Sequence, residues 1–362
     1  PAAVELIGSM IIRQARSNLE YSRLMDFIQG EPDALLVVEM VGDSPGEVES
    51  KLDHLERTTK ARGLGYAFTR LTEPADQAKV WAVRRAGLGL MMNVPGEAKP
   101  LPFVEDTAVS PEVLPDFVRR FDEIVRAHGT TAGYYGHASV GCLHIRPLID
   151  LKGQDGVDRM VSIADEISDL VLEYGGSISG EHGDGLVRSP WLEKMFGPQI
   201  CQAFADVKRA FDPKGIMNPG KIVDPPPMTE NLRISPAYRT LDLKTGFGYS
   251  SEGGFAAAIE MCNGQGACRK VTGGTMCPSY MVTRDEEHST RGRANALRAA
   301  ISGALPVDSL TSKRLYEVMD LCLECKGCKA ECPSNVDVAK LKYEFLDRHK
   351  KANGYSLRDR IF

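Results

Sequence analysis

The run Cys322-Leu-Glu-Cys325-Lys-Gly-Cys328-Lys-Ala-Glu-Cys332-Pro333 constrains this chain more than any other stretch. Its C-x2-C-x2-C-x3-C-P spacing is that of ferredoxin-type iron–sulfur ligation. Three thiolates in one tight loop grip three corners of a cubane. The fourth, followed by Pro, ligates a second cluster. A zinc site more often shows two separated C-x2-C pairs or added His. A disulfide framework fits poorly in 362 residues with nine Cys. A cluster of this kind moves single electrons, so the chain is expected to exchange electrons with another group.

The crossing fourth ligand requires a partner group, and Met261-Cys262-Asn-Gly-Gln265-Gly-Ala-Cys268, followed by Cys277-Pro278, supplies one. Cys262 and Cys268 fall on the first and third ligand positions, and Gln265 takes the second. Cys277 is the fourth, displaced by an insertion. By the crossing rule, Cys277 completes a [4Fe–4S] cluster with Cys322, Cys325 and Cys328. Cys262, Cys268 and Cys332 then hold a [3Fe–4S] cluster, or a [4Fe–4S] cluster with a non-cysteine fourth ligand. The alternative is one cluster only, with Cys262 and Cys268 as spare thiols. Cys201 lies in a helical pattern with Ile200, Phe204 and Val207 and is expected to be a buried small apolar residue.

The length allows two or more domains, and no apolar run is long enough to span a membrane. A net charge of −5 gives no reason to expect a nucleic acid partner. The basic stretch Arg291-Gly-Arg293…Arg298 reads as a solvated helix face or a screen for cluster charge. Free-thiol motifs imply a reducing compartment, read as the cytoplasm, with any docking at the inner membrane left to a partner. The chain starts at Pro1 in what already reads as structure and is expected to be a fragment.

Hydrophobic periodicity predicts helices over 2–28, 46–62, 73–92, 156–174 and 190–211, and one from Ser110 and Pro111 to His128. Strands are expected at 33–41, 66–71, 103–109, 131–136, 142–148 and 178–179. This order implies an α+β domain over 1–224, a mainly antiparallel sheet with helices on one face. A Pro-rich break opens a linker over 225–255. A small all-α domain built around the Cys loops follows over 256–362.

Two segments of the first half carry further chemistry: Gly136-His137-Ala-Ser-Val-Gly141-Cys142-Leu-His144 and Gly180-Glu181-His182-Gly183-Asp184-Gly185. The Gly-containing middle of the first permits a turn that brings His137 and His144 together. Two imidazoles and the Glu181 carboxylate make a divalent-metal set with open positions. His182, on a Gly-flanked loop, could approach a substrate as general base. The competing reading is structural histidines and a plain turn.

These two segments, followed by Phe211-Asp212-Pro-Lys-Gly-Ile-Met-Asn218-Pro-Gly-Lys221, resemble the C-terminal half of the FAD-linked oxidases. That group includes D-lactate, glycolate and D-2-hydroxyglutarate dehydrogenases of the vanillyl-alcohol-oxidase fold. The Cys region resembles the ferredoxin-type module of their long bacterial members. The resemblance implies that His137, His144 and Glu181 hold a divalent metal, zinc or manganese, and that His182 takes the substrate's 2-hydroxyl proton. Trp81-Ala-Val-Arg84 resembles a Trp-x-x-Arg whose Arg pairs with a substrate carboxylate, and Lys99 is a candidate for a second carboxylate. Asn218 and Lys221 are implied neighbours of the flavin. FAD is the implied hydride acceptor, its main binding domain expected to precede this segment. Electrons would pass from FAD to the clusters and on to a downstream acceptor. The expected substrate is a small D-2-hydroxy acid, with D-2-hydroxyglutarate favoured over D-lactate or glycolate. An electron-transfer scaffold without catalysis is the reading from another class. Cys142 departs from a common Asn and is a poorer hydrogen-bond partner for a substrate or metal-bound water, and Leu88 departs from a common Thr, which weakens the carry-over of a fixed diacid pocket.

Overall fold

The computed structural model describes residues 1–355 and 357–361. They form two units, Pro1–Ile12, Asp26–Val80 and Ala98–Pro236 in the first, and Arg13–Met25, Trp81–Glu97 and Ala237–Phe362 in the second. Helices α1 (Ser9–Ser17) and α3 (Pro74–Met91) have residues in both.

The first unit is built on a six-stranded antiparallel sheet. Its strands are β1 (Ala3–Gly8), β2 (Ala34–Glu39), β3 (Lys99–Pro100), β4 (Thr107–Ala108), β5 (Ala132–His137) and β6 (Cys142–Ile149). The order is β2-β1-β5-β6-β3, and β4 also pairs with β6. Period-2 alternation along β6 sends Leu143, Ile145 and Ile149 to one face. There they meet α4 (Leu114–Ala127) through Phe117, Phe121 and Val125, and α5 (Gln154–Glu173) through Met160, Ile163 and Ile167. The spacing of those residues is helical, so each helix presents one apolar stripe to the sheet. Each buried Phe or Ile contributes roughly 1.5–3 kcal/mol.

The opposite face is fixed by register. Glu5 of β1 pairs with His137 of β5, His137 with Cys142 of β6, and Tyr135 with His144. Glu5, His137, Cys142, His144 and Arg146 therefore share the face away from α4 and α5. Helices α2 (Pro45–Ala61), α6 (Gly185–Arg188) and α7 (Leu192–Phe211) complete the unit. Helix α7 is kinked at Gly197, where φ is 76°, just before Pro198.

Several local expectations fail. Residues 2–28 are not one helix: β1 precedes α1, and a 3-10 helix covers Tyr21–Phe27. The apolar residues of Ala3–Gly8 are taken up by strand pairing with β2 and β5, and tertiary context overrides the local pattern. Residues 66–71 and 178–179 form no strand, 103–109 yields only β4, and an isolated bridge joins Ala108 to the neighbouring Ser177. Helix α4 starts at Leu114, three residues beyond the Ser110–Pro111 signal. Cys201 is only half-buried.

Among the described residues, the second unit's own structure is helices and loops. Its helices are α8 (Phe255–Glu260), α9 (Pro278–Thr283), α10 (Thr290–Ile301), α11 (Lys313–Asp320), α12 (Gly327–Glu331), α13 (Val338–Asn353) and α14 (Leu357–Ile361). Side-chain caps fix several starts: Ser289 accepts from Gly292 N, Ser312 from Leu315 N and Asp337 from Lys340 N. Leu297 and Ile301 of α10 pack with Met319 of α11 and Leu341 and Phe345 of α13. Of the two readings of the basic stretch, a solvated face does not fit Arg293, which is 0% exposed, while Arg291 and Arg298 are half-buried. No helix among the described residues is long and apolar enough to cross a membrane.

Candidate active site and cysteine clusters

Strand β5 ends at His137 and a single 3-10 turn, Ala138–Val140, returns the chain into β6. Gly141 closes that turn at φ 69°, and a Cβ there would lie 1.7 Å from Val109 O. Only glycine fits both the conformation and the space. The turn sets the His137 and His144 rings 5.3 Å apart. The Gly180–Gly185 loop brings Glu181 and His182 to the same place, and His182 stacks on His144 at 4.7 Å.

Glu181 Oε1 lies 3.2 Å from His137 Nε2, 3.2 Å from His144 Nε2 and 3.3 Å from His182 Nε2. The other ring nitrogens face carboxylates. His137 Nδ1 is 2.7 Å from Glu5 Oε1, and His182 Nδ1 is 2.9 Å from Glu105 Oε1. An ionised carboxylate only accepts, so each of these Nδ1 atoms donates and Nε2 carries the lone pair. His144 Nδ1 lies 3.3 Å from Glu105 Oε2, outside good hydrogen-bond geometry. Acceptor atoms thus converge on one point, where they repel unless a proton or cation lies between them. This donor set suits a divalent cation, with carboxylates behind the histidines as orienting partners.

Glu105 and Asp106, which periodicity did not single out, hold this arrangement. Burial alone would raise Glu105, but His144, Arg146 and His182 outweigh it and bring its pKa down to about 2. Asp106 is 0% exposed and has a φ of 74°. It accepts from Glu181 N at 3.1 Å, His182 N at 2.8 Å, Ser179 Oγ at 3.0 Å and Cys142 Sγ at 3.3 Å. Burial opposes ionisation of Asp106, yet these donors hold its pKa below the ordinary value. One Asp106 oxygen comes within 4.8 Å of ligand atoms of His144, Glu181 and His182. Its oxygens are already engaged by the loop's amides, so its role is to position that loop. Two acids inside the apolar run Phe103-Val-Glu-Asp-Thr-Ala-Val109 were the available signal, since buried carboxylates require partners.

The other candidates sit on other elements. Lys99 is half-buried on β3, opposite Ile149. Arg84 is half-buried on α3, in the part that belongs to the second unit. Asn218, at φ 46°, and Lys221 are exposed on the loop that follows α7. Asp212 organises that loop by accepting from Ile216 N at 3.0 Å and Met217 N at 2.9 Å.

In the second unit, Glu324 and Lys326 take left-handed φ values of 56° and 59°, which coils the Cys322–Cys328 loop tightly. Cys262, Gln265, Cys268, Arg291, Cys332 and Val336 line one small cavity. Burial pushes the Cys332 thiol up to about 11, and the neighbouring Cys262 and Cys268 add to the rise. Burial likewise raises Cys322, with Cys277 a charge neighbour, and takes Cys328 to about 12, with Cys322 a neighbour. Cys268 also feels Cys277, but less than its own backbone and hydroxyl donors. Backbone N–H groups aim at the buried sulfurs: Arg291 at Cys268, Glu324 at Cys322, Val338 and Ala339 at Cys328, and Ser334 and Val336 at Cys332. Buried sulfurs ringed by amide donors suit iron-bound thiolates better than neutral thiols.

A sheet carrying this His/Glu cluster and a helical cysteine unit define a class. The chain belongs to the FAD-linked oxidases: the model of the family's C-terminal domain matches residues 1–222. A 4Fe-4S dicluster domain matches residues 261–337. The D-2-hydroxyglutarate dehydrogenase of Pseudomonas putida is 31% identical over 400 residues, covering 99% of this chain and 39% of the relative. The glycolate oxidase subunit GlcD of Bacillus subtilis is 31% identical over 190 residues, covering 52% of this chain and 39% of that protein. A D-lactate dehydrogenase of Archaeoglobus fulgidus is 36% identical over 121 residues, covering 33% of this chain and 26% of that protein. The chain spans about two fifths of the length of the long relatives that it matches end to end, 39% of the Pseudomonas protein.

Proposed function

We propose that this chain is the substrate-binding and electron-transfer part of a flavin-dependent D-2-hydroxy-acid dehydrogenase. D-2-hydroxyglutarate is the favoured substrate and the 2-oxo acid the product. The observation that carries the reading is the convergence of three imidazole Nε2 atoms on Glu181 Oε1 within 3.2–3.3 Å. His137, His144 and Glu181 would hold a divalent cation, zinc or manganese, with the imidazoles favouring zinc. Such a cation supplies Lewis acidity at the substrate's carboxylate and 2-hydroxyl. His182, its side chain 41% exposed against 4% for His144, is open to substrate, and its Nε2 takes the 2-hydroxyl proton. Glu105 accepts from Nδ1 and stabilises the imidazolium that results. Arg84 pairs with the substrate's 1-carboxylate, and Lys99 with a second carboxylate where one is present.

A bound flavin supplies the hydride acceptor, and Asn218 and Lys221 lie on the loop assigned to contact it. Cys277, Cys322, Cys325 and Cys328 would hold one cluster, and Cys262, Cys268 and Cys332 the other, both relaying electrons one at a time to a downstream acceptor. The functional segments we assign are 1–224 for substrate and metal, 225–255 as connector and 256–362 for the clusters. D-lactate or glycolate is the second reading, favoured by Leu88 where a Thr is common. The diacid is preferred because the D-2-hydroxyglutarate dehydrogenase match extends across the Cys region. Steady-state rates of the flavin-loaded enzyme on a panel of 2-hydroxy acids with a dye acceptor test this. The expected order puts D-2-hydroxyglutarate first, and a higher kcat/KM for D-lactate or glycolate would reverse the assignment. Full turnover by His182→Ala with intact flavin would remove the base.

A further inference from the structure

Arg293 occupies a place where a cation is poorly tolerated. It lies in the first turn of α10, at the positive end of a 12-residue helix, and is 0% exposed. Its guanidinium donates to Val318 O at 3.0 Å, His288 O at 2.8 Å, Ser279 Oγ at 3.0 Å and Cys277 Sγ at 3.5 Å. None of these is a carboxylate, and among the described residues no acidic side chain forms an ion pair with it. Its neighbours are balanced differently. Arg291 is held by both oxygens of Glu286 at 2.7 and 2.9 Å, and the buried Lys342 has Glu324 at 3.0 Å. A fixed charge taken out of water is stable only against an opposite charge. The one sulfur it reaches, Cys277 Sγ, belongs to the four thiols assigned above to a single cluster.

We infer that Arg293 is the built-in counter-charge of the cluster held by Cys277, Cys322, Cys325 and Cys328, and that it raises that cluster's reduction potential. The inference rests on the ligand assignment proposed above. Reduction adds one electron to the cluster and no proton. The added negative charge lies beside a guanidinium in a low-dielectric interior, so the reduced form gains more than the oxidised form. Arg291, beside the three-thiolate site, is instead paired with the Glu286 carboxylate.

The test is an anaerobic, EPR-monitored redox titration of the iron-loaded full chain, with iron and sulfide counted in each sample. Arg293→Lys keeps the charge and should titrate near the wild type. Arg293→Met removes the charge, and its oxidised-to-reduced ratio at fixed potential should rise at least about tenfold, about 59 mV for a one-electron couple. A fully loaded Arg293→Met with an unchanged potential overturns the inference. If Arg293→Met loses the iron of this site, Arg293→Lys decides. Retention by Lys shows that charge is what the site requires, whereas loss from both shows that the guanidinium's hydrogen-bond shape is required and overturns the charge role. A Cys325→Ser variant, with Arg293 intact, whose iron content and EPR match the wild type would instead refute the ligand assignment, so the two failures are distinguishable.

Discussion

His182 gives its Nδ1 proton to Glu105 Oε1 across 2.9 Å, and this contact decides which nitrogen of the ring is basic. Glu105 can play that part because Arg146 Nη2, at 3.2 Å, keeps a buried carboxylate ionised. Replacing Glu105 by Gln leaves the shape but offers an N–H where the ring needs an acceptor. The tautomer then reverses or the contact breaks. Glu105→Gln is expected to lower kcat of the flavin-loaded enzyme by at least about 100-fold, by analogy with triad carboxylates. Metal affinity should fall by about 10–100-fold. Turnover and metal titration by competition with a chelator measure the two effects, and unchanged values in both would exclude a positioning role for Glu105.

Glycine at the His137–His144 turn gives a second expectation. Gly141 has φ 69° and its Cβ would sit 1.7 Å from Val109 O. Gly175 has a similar φ of 63° but open space around it. Both replacements by Ala incur the left-handed conformational penalty, and only one also collides with backbone. Gly175→Ala should cost about 1 kcal/mol and Gly141→Ala about 2–5 kcal/mol. Urea unfolding of the two variants beside the wild type separates them, and equal midpoints would refute the steric argument.

Much of this site was visible as residue types, and its assembly was not. His137, Glu181 and His182 stand out because each adjoins a glycine, and His144 because imidazoles are scarce, with seven in the chain. Glu5 could not be found, since residues 2–28 carry a helical pattern that strand pairing overrides. Register then decides that Glu5 faces His137, and a one-residue slip would turn it away. Asp106 likewise reads as a polar interruption in a strand, although its carboxylate ties down the Gly180–Gly185 loop. The cysteine spacing was more informative because ligation is local: four of the seven thiols lie within 11 residues, Cys322–Cys332. Arg293 read equally as a solvated face or a screen for cluster charge, and its burial without a carboxylate partner sets it apart from Arg291, which Glu286 holds.

The loop carrying Asn218 should respond to acid through Asp212. Lys208 comes first among the partners that hold the Asp212 carboxyl below its ordinary value of 3.8, followed by Met217 N and Ile216 N. A depressed folded pKa contributes order that is fully present above 3.8 and is lost as pH falls through the lower folded value. Amide exchange at Ile216 and Met217 should therefore stay slow, relative to intrinsic rates, down to about pH 4 and quicken below it. In Asp212→Asn the two amides should exchange faster than in the wild type above that step, with the acid step gone. An acid step that persists in Asp212→Asn would place the titrating group elsewhere.

Gln265 stands where a second cysteine would complete the Cys262–Cys268 ligand set, and its side chain lines the cavity shared with Cys332. An amide is a hard oxygen or weak nitrogen donor, whereas iron in a sulfide cluster prefers thiolate. The site should therefore hold a [3Fe–4S] cluster beside the four-thiolate [4Fe–4S] one, about seven irons per chain. Gln265→Cys places a thiol at the open corner and should bring the count to about eight. The EPR signal of an oxidised three-iron cluster, present in the wild type, should disappear in that variant. Eight irons and no such signal in the wild type would show that a non-cysteine ligand already completes the cluster. Gln265→Ala would then identify that ligand, since loss of the fourth iron from this variant alone would assign it to the Gln265 side chain.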